Sequence, residues 1–352
     1  MNDPENYLIA ANDEHGVNPP TAGKRTPIMP YLERSIYENE FNRATKLYFM
    51  QACLRNGFRV FDVKPEEWDV PLATRARRVN LIRPSLLVTF AYNAFGTGAT
   101  FNAASGFETF YSLRNPQPER SRQLAEEIFE QLAIGTPQRP RRVGTLDITM
   151  LSSVVCPAAL VEAGFMTNFE EAKRMLDPDY QIEVAEETCK GVAMYLNTPY
   201  IGRDDRSVYP LLRRGSSGRM VELMQLLLDQ NGCDLVADGI FGAKTEACVR
   251  AFQRENGLVE DGLVGDNTWR TLLVFAPRPT LAEGSRGAYV RYLQQKLESK
   301  LYPVGTVDGI FGSKTKNAVM AFQRENGLEA DGIVGPRTWA ALEPIGGGRS
   351  EP

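Results

Sequence analysis

The segment Ala251–Leu258, AFQRENGL, recurs letter for letter at Ala321–Leu328. Around it the match continues at the same offset of 70 residues: Asp238-Gly239-Ile240-Phe241-Gly242 answers Asp308–Gly312, Thr245 answers Thr315, and Thr268-Trp269 answers Thr338-Trp339. Gly215-Ser216-Ser217-Gly218 answers Gly284-Ser285-Arg286-Gly287 at an offset of 69, so one residue was gained or lost between the copies. An eight-residue identity is far beyond chance, and the last third of the chain must fold as a tandem of two small modules. Each copy reads as a helix (Val221 to Leu228; Val290 to Leu297), an Asp-Gly turn, a second helix ending at Asn256 or Asn326, another Asp-Gly turn and a short Thr-Trp helix. Glycine supplies the positive φ these tight turns require.

Bulk properties narrow the partners. The chain has 352 residues, enough for two or three cores. With a net charge of −4 it lacks the excess of basic residues that phosphate binding calls for, so nucleic acid is excluded as the main partner. No apolar run reaches membrane-spanning length, so membrane insertion is excluded too. The start, MNDPENYLIAANDEHG, has acids where a signal peptide carries Lys or Arg. The expectation is a chain without a signal peptide, made in the cytoplasm and acting elsewhere after release or delivery by another system. The five cysteines (Cys53, Cys156, Cys189, Cys233, Cys248) show no metal or redox spacing and are expected to be small buried hydrophobes.

Residues 7–200 alternate between strand and helix patterns. Strands are expected at Tyr7–Ala11, Phe58–Val63, Ser85–Phe90, Gly106–Tyr111 and Val154–Glu162, and helices at 36–56, 72–81, 121–133, from Asn168, and 181–196. Strands separated by helices imply an α/β sheet with helices on both faces. Asn197–Pro210 and Phe275–Thr280 read as linkers, and Gly346–Pro352 as a disordered tail. The expected division is 1–200, 201–275 and 279–345.

The repeats resemble the peptidoglycan-binding module, a three-helix bundle with the pattern G-x-x-G-x-x-V, D-G-x-F-G-x-x-T, F-Q, D-G-x-V-G and T-W. Both copies carry this pattern. The resemblance implies peptidoglycan as partner and leaves the contact residues open within 213–273 and 281–342. Two linked modules would also raise the local concentration of whatever precedes them on a polymer with many equivalent sites.

The first 200 residues resemble the zinc-dependent N-acetylmuramoyl-L-alanine amidase family of phage endolysins. The resemblance is carried by His15-Gly16, Glu38 four residues before Asn42, Arg75 with Asn80, Gly106-Phe107-Glu108-Thr109-Phe110-Tyr111-Ser112, and Pro157-Ala158-Ala159-Leu160-Val161-Glu162-Ala163-Gly164-Phe165-Met166-Thr167-Asn168. It implies hydrolysis of the amide between N-acetylmuramic acid and L-alanine. His15 and Glu38 would be metal ligands, Glu162 the catalytic carboxylate, and Glu108 a supporting group; Glu40 is the rival of Glu38. Phage or injection-particle components would be further partners.

One departure matters most. Where the family carries its second ligating His, this chain reads Thr89-Phe90-Ala91-Tyr92-Asn93-Ala94, and His15 is its one histidine. Tyr92 should face the opposite side of the strand and cannot substitute. A catalytic zinc keeps three protein ligands and one open position for water. With Ala91 at the ligand position two remain, so Zn2+ binding is expected to be weakened and cleavage lost or nearly so. Two accounts stay open: an amidase silenced by substitution at one position, and a natural pseudo-amidase that binds or anchors to the wall. A general peptidase is a third, weaker reading.

Overall fold

In a computed structural model, residues 1–17, 24–275 and 278–343 are described. The expected tail and parts of the His15–Pro27 and Phe275–Thr280 segments lie outside them. The chain divides into two compact units, Met1–Asp204 and Asp205–Pro352.

The first unit follows the order β1 (Leu8–Asp13), α1 (Glu38–Arg55), β2 (Arg59–Asp62), α2 (Leu72–Ile82), β3 (Leu86–Asn93), β4 (Phe107–Tyr111), α3 (Pro118–Gly135), β5 (Pro140–Thr145), α4 (Thr149–Ser152), β6 (Ala158–Phe165), α5 (Phe169–Arg174) and α6 (Pro178–Leu196). The six strands form one sheet in the order β2-β1-β3-β6-β4-β5. β2, β1, β3 and β6 run parallel, while β4 is antiparallel to β6 and carries β5 parallel to itself.

Alternation along the strands sends side chains to two different helical layers. Ala10, Leu87, Ala91, Ala158 and Leu160 pack with Ala76 and Val79 of α2 and Met150 and Leu151 of α4. From the opposite face, Phe90 meets Phe49 of α1, Tyr92 meets Phe41, and Phe107 meets Phe129 of α3. Both faces are therefore covered, as the βα alternation implied. Two elements were not foreseen. β5, PRRVGT, is largely exposed and has no apolar alternation; it begins with proline, a residue tolerated at strand starts on a sheet edge. α4 fills part of the stretch before β6, which begins at Ala158 rather than Val154.

In the second unit each module has three helices: α7 (Arg219–Gln230), α8 (Ala243–Glu255) and α9 (Asp266–Leu272), then α10 (Ala288–Ser299), α11 (Ser313–Glu325) and α12 (Pro336–Leu342). A device hidden in the sequence recurs four times: one buried glutamine closes each Asp-Gly turn. Gln225 Oε1 accepts the Gly239 amide at 2.8 Å while its Nε2 donates to the Asp238 carboxylate at 2.9 Å and the Ile240 carbonyl at 3.1 Å. Gln253, Gln294 and Gln323 do the same at Gly262, Gly309 and Gly332. All four glycines have φ between 71° and 76°. Each 70-residue repeat thus contains two related turn–helix units. The modules touch through Asn256, whose Oδ1 accepts the Ala288 amide at 2.8 Å.

The cysteine expectation needs correction. Cys233 and Cys248 form a disulfide across 15 residues of the first module, while Cys53, Cys156 and Cys189 are free and buried. Spacing alone could not reveal that pair, and the second module has Ala318 where a partner for Cys248 would repeat.

Candidate active site

β1, β3 and β6 end at the same side of the sheet, and the sequence-predicted residues gather there. The Glu14 amide extends the β1–β3 ladder by donating to Phe90 O at 3.0 Å, and the chain then turns at His15, whose φ is 65°. Glu38 opens α1 and is buried. Its Oε1 accepts from Asn42 Nδ2 and the Tyr92 amide, both at 3.0 Å. Among the described residues its Oε2 has no hydrogen-bond partner, and it lies 3.5 Å from His15 Nε2. The four-residue spacing to Asn42 places both side chains on one helix face. Glu40, by contrast, turns away to Arg34 and caps α1 through the Tyr37 amide at 2.7 Å.

Ala91 and Glu162 are partners in the β3–β6 register, and Glu162 pairs across its other side with Glu108, which in turn pairs with Arg142. One row across the sheet therefore reads Ala91, Glu162, Glu108, Arg142. Just beyond it the register slips by one residue, between Ala91 and Asn93, a bulge that re-aims the strand end. Asn93 then donates to Glu108 at 2.9 Å, and Arg142 holds the other Glu108 oxygen at 2.8 Å. Among the described residues Glu162 Oε2 has no such partner. Burial, reinforced by the negative charge of Glu38, pushes the Glu162 carboxyl well above the usual carboxylate range. Glu14 is likewise raised to about 7, mainly by burial. His15 is lowered by burial against the opposing pull of Glu38.

The site thus contains one imidazole, two carboxylates with orphaned oxygens, and a methyl group at the third position. Ala91 is 3% exposed and packs in the apolar layer beneath α2 and α4. Tyr92 does point the other way, donating its hydroxyl to Glu171 O at 2.8 Å. Among the described residues, no three His, Cys, Asp or Glu side chains are grouped so as to hold a metal ion.

The N-acetylmuramoyl-L-alanine amidase family profile matches residues 15–194, just over half of the chain. The chain belongs to this family. A peptidoglycan binding domain profile matches twice more, at residues 217–272 and 286–342. Among curated relatives of this amidase-family chain, the N-acetylmuramoyl-L-alanine amidase CwlM of Mycobacterium tuberculosis is 41% identical over 118 residues, covering 30% of this chain and 28% of the relative. CwlL of Bacillus licheniformis is 29% identical over 177 residues, covering 42% and 49%. The chain thus spans between about a quarter and a half of the length of these relatives. Among solved structures, the amidase Ami1 of Mycobacterium smegmatis aligns over 56% of this chain and 99% of its own, at 20% identity and a TM-score of 0.48.

The Glu108–Arg142 pair could not be foreseen, because β5 gives no strand signal. The wholly buried Arg75 was seen only as a motif residue; it donates to the Asp13 carbonyl at 2.7 Å and thereby braces the end of β1. In the first binding module, a groove of about 430 Å³ lies between the end of α8 and the start of α9, lined by Leu211, Leu258, Val259, Leu263 and Asn267.

Proposed function

We propose that this chain is a peptidoglycan-directed amidase-family protein that engages the junction between N-acetylmuramic acid and L-alanine, and that Ala91 prevents it from cleaving there. The observation that carries the reading is the pairing of Ala91 with Glu162, beside a His15–Glu38 pair that has no third donor grouped with it among the described residues. Zinc suits imidazole and carboxylate donors. Two such donors do not make the three-ligand set of a catalytic zinc site, so the residues present do not fit the metal.

What the chain's own residues can do follows from their environments. Glu162, whose carboxyl burial pushes well above the usual range, can take up a proton at Oε2 and present it to an amide nitrogen beside it. The polarisation of the scissile carbonyl and the activation of water are what Ala91 leaves unsupplied. The two modules keep the chain on its polymer through linked attachment. The disulfide in the first module suits work outside the reducing cytoplasm. Delivery with a phage or injection particle would bring the chain to the wall.

The test compares this chain with Ala91→His for release of soluble stem peptides from purified peptidoglycan, zinc supplied. The expected result is release by the variant alone. Equal release by both would show that Ala91 does not silence the site. Wall binding by both with release by neither would make the protein a binding protein on an amidase fold.

A further inference from the structure

The chain has three tryptophans. Trp269 and Trp339 are buried and donate their indole N–H to Pro210 O and Pro279 O, both at 2.8 Å. Trp68, in the loop between β2 and α2, is 57% exposed. An exposed aromatic is ordinary in itself. What sets this one apart is the set of buried and half-buried hydrogen bonds that hold the loop carrying it.

Cationic side chains take up the carbonyl groups that flank Trp68 in the loop, at 63–66 and at Val70. Arg78 donates to Val63 O at 2.9 Å, Lys46 to Lys64 O at 2.8 Å, and Arg43 to Pro65 O at 2.9 Å and Glu66 O at 3.0 Å. Lys64 adds a bond to Glu66 O at 3.0 Å, and Arg75 donates to Val70 O at 2.7 Å. The Val17 amide donates to Glu67 O at 3.0 Å. Three of these cations, Lys46, Lys64 and Arg75, are wholly buried. The loop also leans directly on the candidate site. A Cβ placed on Gly16, the residue after His15, would stand 2.4 Å from the Trp68 carbonyl carbon and 2.2 Å from the Asp69 nitrogen.

We propose that Trp68 is a stacking platform for an N-acetylhexosamine of the glycan strand, at the His15 edge of the site. The inference rests on the peptidoglycan reading above. The face of a pyranose ring is a sheet of C–H groups that sits well against the electron-rich face of an indole, while its hydroxyls stay in water at the rim. A plate already held in place loses little freedom when it is covered. Charge favours the sugar over the stem peptide. The loop acids Glu66 and Asp69 pair with Arg78 and Arg75, and the loop's one lysine, Lys64, pairs with Asp13, so among the described residues the loop keeps no unpaired cation to recruit a peptide carboxylate.

The two buried indoles make the test selective, because acrylamide quenching of the full chain's fluorescence reads Trp68. The probe is a β-1,4-linked N-acetylglucosamine hexamer, with a soluble stem tetrapeptide as comparator. The proposal expects the hexamer to reduce quenching by about half or more and the tetrapeptide to leave it unchanged. In Trp68→Ala the hexamer should have no effect on the residual quenching, and its affinity should fall about tenfold. Trp68→Phe should keep part of that affinity, which separates stacking from loss of the fold. A chain that sediments with peptidoglycan while hexamer leaves Trp68 quenching unchanged overturns the subsite alone. Shielding by the tetrapeptide instead overturns it too. A chain that neither sediments with peptidoglycan nor responds to the hexamer overturns both the subsite and the reading beneath it.

Discussion

Replacing Asp13 with asparagine should unfold the amidase-family unit more readily than almost any other single isosteric change. Asp13 is wholly buried, with Lys46 Nζ at 2.7 Å and Lys64 Nζ at 2.8 Å, both of them also buried. Lys46 has a second carboxylate, Asp62, at 2.8 Å. The cluster therefore balances two cations against two anions. Asp13→Asn keeps the shape and leaves an unmatched positive charge in the interior, with Lys64 losing its one ion-pair partner among the described residues. Removing one member of a buried ion pair costs about 3–5 kcal/mol. With a urea m-value of about 2 kcal/mol/M, the midpoint for this unit should fall by roughly 2 M. Far-UV circular dichroism of the full chain follows the transition. Asp13→Asn combined with Lys64→Met restores the balance and should recover at least about 1 kcal/mol, a coupling expected only for groups in contact. A midpoint shift below about 0.3 M, or strict additivity of the two substitutions, would refute the claim that charge matching holds the end of β1.

Three further outcomes follow. Reduction of Cys233–Cys248 should destabilise the first module by about 3 kcal/mol and leave the second unchanged, as hydrogen exchange with and without reductant would show. Gln294→Leu strands the Gly309 amide and should cost about 1–3 kcal/mol in chemical denaturation; a cost below about 0.5 kcal/mol would show that the turn needs no closure. Glu222 on α7 is raised by burial from 4.5 to about 7, so the folded state holds its proton longer than the unfolded state does. Its contribution is full below about pH 4.5 and is lost as pH rises through 7, so Glu222→Gln should flatten that decline in thermal melts and gain nothing at pH 4.

The sequence made some parts of this protein legible and concealed others for physical reasons. The repeats were visible because their glycines must sit at positive φ and their aromatic residues must fill a core, so both recur letter for letter. Glu38 was separable from Glu40 because a four-residue spacing shares a helix face, and the structure sends the two carboxylates in different directions. Gln253 and Gln323 stood in the F-Q of the repeat pattern, but the turn-closing role of all four glutamines escaped notice because each lies between 8 and 14 residues from the Asp of its turn. β5 escaped because an exposed edge strand has no need of apolar alternation. The cation frame under Trp68 joins α1, α2 and the loop, and long-range contacts of that kind leave no periodicity to read.

The central claim, that this site lacks one donor, is tested most directly by titrating zinc into this chain and into Ala91→His against a competing chelator. Loss of even an outer-sphere partner weakens a metal site by about 10–100-fold, so a missing ligand should cost more. The account predicts one tightly bound zinc per molecule in the variant and weaker binding, by at least ~100-fold, in the chain itself. Equal stoichiometric binding by both would contradict it, and would mean that His15 and Glu38 recruit a third donor that the row of Ala91 and Glu162 does not reveal.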